Sequence, residues 1–183
     1  MITPQIINDT KVVFGPCRLS FPHLFAKKKF DGDTGDGKYM VTVMIPKKEK
    51  GTINAINKAI ETAKAAGIAR KWGGKEPRKL TLPLMDGDDA NDELMHGHYT
   101  IKAKSNMRPG VLDKERNPIV DEEEIYGGMW AVVSVTFFPY NAAGNTGVGV
   151  ALNGVVKFKD DERFGQSADH DFDNIDLEDD DDL

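Results

Sequence analysis

Several stretches of this chain alternate apolar and polar residues with the period of a half-buried strand, and one repeats with the period of a helix. Lys38 to Ile45 (KYMVTVMI) places Tyr39, Val41, Val43 and Ile45 on one face and Met40, Thr42 and Met44 on the other. His98 to Ser105 (HYTIKAKS) sets Tyr99, Ile101 and Ala103 against Thr100, Lys102 and Lys104. Met129 to Phe138 (MWAVVSVTFF) turns Val133, Val135 and Phe137 toward a core, with Trp130, Ser134, Thr136 and Phe138 opposite. Val148 to Lys159 supplies the last strand or pair of strands. Lys11 to Phe21 supplies the first, interrupted at Gly15-Pro16, where a bulge or a sheet edge is expected. Between Thr52 and Lys71, Ile53, Ile56, Ile60, Ala63 and Ala66 recur at helical spacing, with Thr52 as N-cap. A stripe so rich in alanine suits a helix lying close on a sheet. The pattern predicts a mainly β fold, a barrel-like sheet of about five strands with one helix inserted after the second.

The segments between these elements hold most of the chemistry. Lys27-Lys28-Lys29-Phe30 puts three cations beside an aromatic ring. The turn-rich Asp31 to Gly37 has calcium-loop spacing in part, but Gly35 stands at an oxygen-ligand position and Asp36 where the turn glycine belongs, so calcium is rejected. Arg70 to Lys79 carries five basic residues and one acid around Trp72, which either anchors the helix end on the core or offers a ring to a base. The carboxylates from Asp86 to Glu93, with His96 and His98 nearby, are the best metal-site candidate, yet they lack a recognised ligand spacing. Asp121 to Glu124 reads as solvated, and Asn141 to Gly147 as a flexible hairpin loop. No Gly-rich phosphate loop, nucleophile elbow or HExxH motif is present, and Cys17 reads as a small buried hydrophobe. No catalytic residue, cofactor or metal is expected.

Charge changes this picture. The 183 residues carry 24 Lys+Arg and 30 Asp+Glu, a net charge of −6. Nine of those acids lie in Asp169 to Leu183, which contains no Lys or Arg and only single hydrophobes at Phe172, Ile175, Leu177 and Leu183. Such a segment cannot bury enough apolar surface to offset its ordering entropy, so residues 169–183 are expected to be a disordered polyanionic tail on a domain of residues 1–168. Without the tail the body is net +3, and residues 1–80 alone are +9. A basic surface beside an internal polyanion points to a polyanionic ligand and a competitor for it. The lone cysteine excludes an internal disulfide, and no signal peptide or membrane-length apolar run stands in the chain, so a reducing cytoplasm is the expected home.

A β-barrel with basic flanks and scattered aromatics is the physical recipe for single-strand binding: cations track phosphates, and ring faces stack on bases of any identity. A five-stranded sheet that closes on itself fits the OB-fold. Lys71-Trp-Gly-Gly74, Pro83-Leu-Met-Asp-Gly-Asp88, Tyr99 to Asn106 with Arg108-Pro-Gly110, Tyr126-Gly-Gly-Met-Trp130, and Phe138 to Leu152 together resemble a phage-encoded family. Its members are single-stranded-DNA-binding proteins with one OB-fold and an acidic C-terminal tail, long catalogued as a domain of unknown function. The resemblance implies a non-catalytic protein that coats single-stranded DNA during phage replication and recombination, in the cytoplasm of an infected bacterial host. It also implies a tail that competes with DNA and recruits replication partners. The tail residues so marked are Phe172, Asp179, Asp180, Asp181, Asp182 and Leu183. The terminal Leu183 stands where better-known functional relatives have phenylalanine, so partner identity is not carried over.

The residues expected to touch DNA are Lys102, Lys104 and Arg108, the basic loop Lys75, Arg78 and Lys79 with Trp72, and the aromatic group Trp130, Phe138 and Tyr140. Tyr39, Tyr99 and Phe137 fall to the core by strand parity. Two other readings stay open. One is a metal-dependent nuclease using the Asp86–Glu93 carboxylates, and the other is an acidic DNA mimic whose tail binds another protein. A homodimer is compatible with the sequence but not required by it.

Overall fold

The longest strand organises the molecule because it pairs along both of its edges. In the computed structural model, which describes residues 1–32 and 35–165, β2 (Lys11–Lys28) lies between β3 (Lys38–Pro46) and β7 (Trp130–Ala142). β3 pairs with β5 (His98–Ser105), and β7 with β8 (Asn145–Lys159), all antiparallel. A parallel contact at Lys104 and Ala151 brings β5 onto β8 and closes a five-stranded barrel. This is the OB-fold expected from the pattern. The short strands β1 (Gln5–Ile7), β4 (Met85–Asp86) and β6 (Gly110–Leu112) add to β2, β5 and β8 respectively. All three are illegible as strands in the sequence, being too short to show a period. The acidic tail expected over residues 169–183 lies outside the described residues.

Parity holds along β7, whereas on β3 and β5 the outer-face residues Thr42, Met44 and Thr100 are buried as well. On β7, Ala131, Val133, Val135 and Phe137 are buried, while Phe138 is exposed and Trp130 half-buried. Val41, Val43, Ile45, Ile101 and Ala103 complete the barrel interior. The interruption at Gly15-Pro16 is a shift in the β2–β7 register between Phe14 and Cys17, so the strand bends there and continues. Gly15 has φ +128°, and a Cβ on it would sit 2.8 Å from the carbonyl oxygen of Ala131.

The helix α1 (Lys50–Arg70) follows β3 and packs Ile53, Ile56, Ala59, Ile60 and Ala63 against the barrel, chiefly on β7. Thr52 is not its N-cap. The helix starts two residues earlier, Glu49 stands at the cap without a side-chain bond, and Thr52 is buried inside the first turn. The expected loop from Asn141 to Gly147 is instead mostly strand. β7 and β8 pair out to Ala142 and Asn145, leaving Ala143 (φ 49°) and Gly144 (φ 80°) as a tight two-residue turn. Phe138 and Tyr140 lie opposite Gly149 and Gly147, whose missing side chains leave room for the rings. Gly147, read as part of a flexible loop, and Gly149 are seats for aromatics. The acidic run from Asp121 to Glu124 is exposed, as expected, and is also ordered: Asp121 accepts from the Glu123 amide at 3.0 Å, and Glu124 pairs with Lys157 at 2.8 Å.

Candidate nucleic-acid interface

The outward faces of β2, β3 and β5 bring residues distant in sequence into cross-strand rows. Arg18 neighbours Met44, which neighbours Thr100, which neighbours Met85 of β4. Ser20, Thr42 and Lys102 form the next row, and His23, Met40 and Lys104 the third. Over these rows runs a groove of about 1050 Å³. One rim carries Phe21, His23 and Lys28 from the end of β2 and Phe30 from the β2–β3 connection, and the other is the segment from Met85 to Met95. Lys102 and Lys104 rise from the floor beside Met40 and Thr42.

Phe21 is the most exposed phenylalanine at this site, 63% accessible, and its backbone is left-handed at φ 48°. The β2–β3 register shifts between Ser20 and His23, so the strand bulges at Phe21-Pro22 and turns the ring out of the sheet. A left-handed non-glycine residue costs on the order of 1–3 kcal/mol, and such outliers concentrate at binding sites. Phe30 is half exposed, with the Lys28 ammonium 5.9 Å from its ring centre. His23 is held below its usual pKa by burial and by the neighbouring Lys28 charge. Phe21, Phe30, His23 and Lys28 are not among the contacts expected from the sequence. The Lys-Lys-Lys-Phe run and the Phe21-Pro22 break are the signals that could have found them.

The ten expected contact residues separate into three places. Lys102 and Lys104 line the groove, and Arg108 lies beyond the end of β5 with its guanidinium 5.2 Å from the Phe25 ring. Lys75, Arg78 and Lys79 stand on the loop after α1, which runs to the β7–β8 arm. There Thr146 donates to the Lys79 carbonyl at 2.8 Å, and Thr81 and Gly147 form a parallel bridge. Phe138 and Tyr140 belong to that arm. Trp72 is turned inward: its indole N–H donates to the Tyr140 carbonyl at 3.0 Å, and its ring lies over Gly67, where a Cβ would come within 2.6 Å. It anchors the helix end.

Trp130 sits in a third place, a clasp formed by the residues after β8. Its N–H donates to Asp161 at 2.7 Å, and Tyr126 donates to Asp160 at 2.7 Å. Arg18 donates to the carbonyls of Gly128 and Glu162 at 2.9 and 2.8 Å and lies 4.4 Å from the Phe164 ring centre. Hydrogen bonds hold the Asp160 carboxyl below the usual range through Lys157, and Asp161 through Trp130. A Cβ on Gly127 would be 3.7 Å from Phe164 and 3.9 Å from the Phe21 amide, so the described chain ends beside the groove rim.

The carboxylates offered as a metal site have other work. Lys47 bridges Asp86 at 2.6 Å and Asp88 at 2.5 Å, and its hydrogen bonds hold both carboxyls below the usual range. Asp86 and Asp92 accept from the Asp88 and Leu94 amides, capping two short 3-10 turns. Among the described residues no three His, Cys, Asp or Glu side chains group as a metal site. Cys17 is fully buried, and burial pushes its thiol up to about 12, which leaves no thiolate for nucleophilic chemistry near neutral pH.

The model of a family described as Enterobacter phage Enc34, ssDNA-binding protein, matches residues 10–183. Putative protein p50 of Acyrthosiphon pisum secondary endosymbiont phage 1 is 28% identical over 180 residues, spanning 91% of this chain and 95% of that protein. The single-stranded DNA-binding protein of bacteriophage Enc34, solved in complex with ssDNA, superimposes with a TM-score of 0.78 at 29% identity, over 89% of this chain and 94% of its own. Gp2.5, a single-stranded DNA binding protein encoded by bacteriophage T7, shares the fold at 20% identity, with a TM-score of 0.58 over 86% of this chain and 94% of its own.

Proposed function

The chain belongs to the phage family of the Enc34 single-stranded-DNA-binding protein, and from that premise we propose that it binds single-stranded DNA, without catalysis, in the β2–β3–β5 groove. The observation that carries the assignment is the meeting of exposed rings and cations on one face: Phe21 and Phe30 on the rim, Lys28, Lys102 and Lys104 alongside. Phosphates lie against the lysines and bases against the rings, with Met40 and Met85 as soft apolar contacts. Arg108 extends the cationic track past β5. None of these groups reads base edges in a fixed pattern, so the binding is tolerant of sequence, as coating DNA in replication and recombination requires.

The acidic residues 169–183 act in this reading as a competitor for the groove and a handle for replication proteins. The support is electrostatic: a body of net +3 carries a segment of nine acids, and the last described residues lie beside Phe21. The test is fluorescence titration of a labelled oligo-dT. Replacing Phe21 and Phe30 by Ala weakens binding, and deleting Asp169–Leu183 tightens it. A deletion that weakens binding in a folded protein removes the competitor role, and a double Phe variant with unchanged affinity removes the groove.

A further inference from the structure

Two of the histidines among the described residues have settled partners. A His96 ring nitrogen lies 3.2 Å from the Ala90 carbonyl oxygen, and His98 bonds the His96 carbonyl at 2.9 Å. His23 makes no hydrogen bond or ion pair with any described residue, so both of its ring nitrogens are open to a ligand. The ring is half-buried and lines the groove. Its charged surroundings are lopsided. Lys28 lies further along β2, opposite Lys38, and Lys104 shares the cross-strand row of His23 and Met40. Lys102 stands in the neighbouring row. The carboxylates of the groove, Asp86, Asp89 and Asp92, belong to the other rim, and Lys47 already pairs with Asp86. In the free protein, burial and the Lys28 charge hold the ring below its ordinary 6.5, so it is neutral near pH 7.

We propose that His23 contacts the backbone of bound single-stranded DNA and takes up a proton as it does so. The inference rests on the groove reading above. A phosphate track that runs over Lys28 and Lys104 passes His23, which lies on the strand of the first and in the row of the second. A phosphate there removes both obstacles to charging the ring. It offsets the lysine charge, and it replaces lost water with a hydrogen bond that an imidazolium donates more strongly than an imidazole. A group that holds its proton more tightly in the complex than in the free protein makes binding tighter as pH falls. The gain grows as pH drops through the midpoint of the bound ring and levels off below that of the free ring. The lysines stay charged throughout this range, so His23 is the one cation lining the groove, among the described residues, that pH can switch on.

The test titrates the full-length protein with labelled oligo-dT at about pH 8 and about pH 5.5, a window in which thymine does not titrate and carboxylates stay largely ionised. Wild-type affinity should be about tenfold higher at the lower pH. His23→Gln keeps a polar side chain that cannot charge, and its affinity should change by about twofold or less. His23→Arg carries a permanent charge and should bind tightly at both pH values. Thermal melts at each pH check that the variants are folded. In the wild type, the His23 ring signal in an NMR titration should move its midpoint to higher pH when oligo-dT saturates the protein. A pH effect retained in full by H23Q belongs to other groups and overturns the contact, as does a ring midpoint that DNA leaves in place. A flat wild-type profile with oligo-dT still bound overturns the proton uptake and leaves the groove standing. A wild-type protein that binds no oligo-dT at either pH overturns the groove reading, and His23 with it.

Discussion

At the scale of single residues, two aromatics show how far side-chain identity can be read without a structure. Trp72, in a loop of five cations, has the composition of a stacking residue, but its ring covers Gly67 and its N–H serves Tyr140. Phe21, between a strand and a proline, has the composition of core, but a left-handed backbone turns it outward. Neither outcome is set by neighbours in sequence. Trp72 is decided by a carbonyl 68 positions away, and Phe21 by a register shift against β3. Loss of a stacking ring costs about 1–3 kcal/mol. Phe21→Ala should therefore weaken single-strand binding by roughly fivefold to a hundredfold with little change in melting temperature. Trp72→Phe keeps a ring over Gly67 but strands the Tyr140 carbonyl, which costs about 1–3 kcal/mol of stability. It should lower the melting temperature and leave the affinity of the folded protein alone. Melts and titrations on both variants separate the two roles.

At the scale of elements, β7 is legible because one face lies in the barrel and one outside, which imposes a two-residue period, and β3 and β5 keep that period in sequence although Thr42, Met44 and Thr100 of their outer faces are buried too. The β7–β8 arm is not, since beyond Tyr140 its small residues and glycines look like a loop until the rings that cover them are placed. The Met85–Met95 rim and the clasp are also hidden, being built from side-chain bonds between segments far apart in sequence. Their carboxylates predict a pH dependence. Asp86 and Asp88 are held low by Lys47, Asp160 by Lys157, and Asp161 by Trp130. A carboxyl depressed in the folded state contributes stability that is present above its unfolded pKa, about 3.9, and is lost as pH falls through the folded value. The melting temperature should hold from neutral pH down to about 5 and fall below about 4. Lys47→Met should flatten part of that acid limb. A Lys47→Met profile parallel to wild type at every pH would show that the bridge adds nothing to acid sensitivity. These pairs are exposed, so the effect is modest.

At the scale of the whole molecule, the element order strand, strand, helix, strand, strand, strand is readable, and so is the asymmetry between a basic body and an acidic end. The groove is not. It exists only because β3 carries Met40 and Thr42 between the flanking strands that hold His23 and Lys104, an arrangement fixed by closure of the barrel. Charge bookkeeping found the right class of ligand but spread its contacts over three surfaces, because a lysine on the loop beside the β7–β8 arm and one in the groove count alike. Counterion release tells them apart. Single-strand affinity should fall with salt at a log–log slope of about −0.7 for each phosphate neutralised. The decisive measurement is that slope, taken by oligo-dT titration for wild type, for K28Q/K102Q/K104Q and for K75Q/R78Q/K79Q. If the groove holds the strand, the first variant loses about two from the magnitude of the slope and the second matches wild type. A wild-type slope kept by the groove variant and lost by the loop variant would place the DNA on the arm and contradict the account.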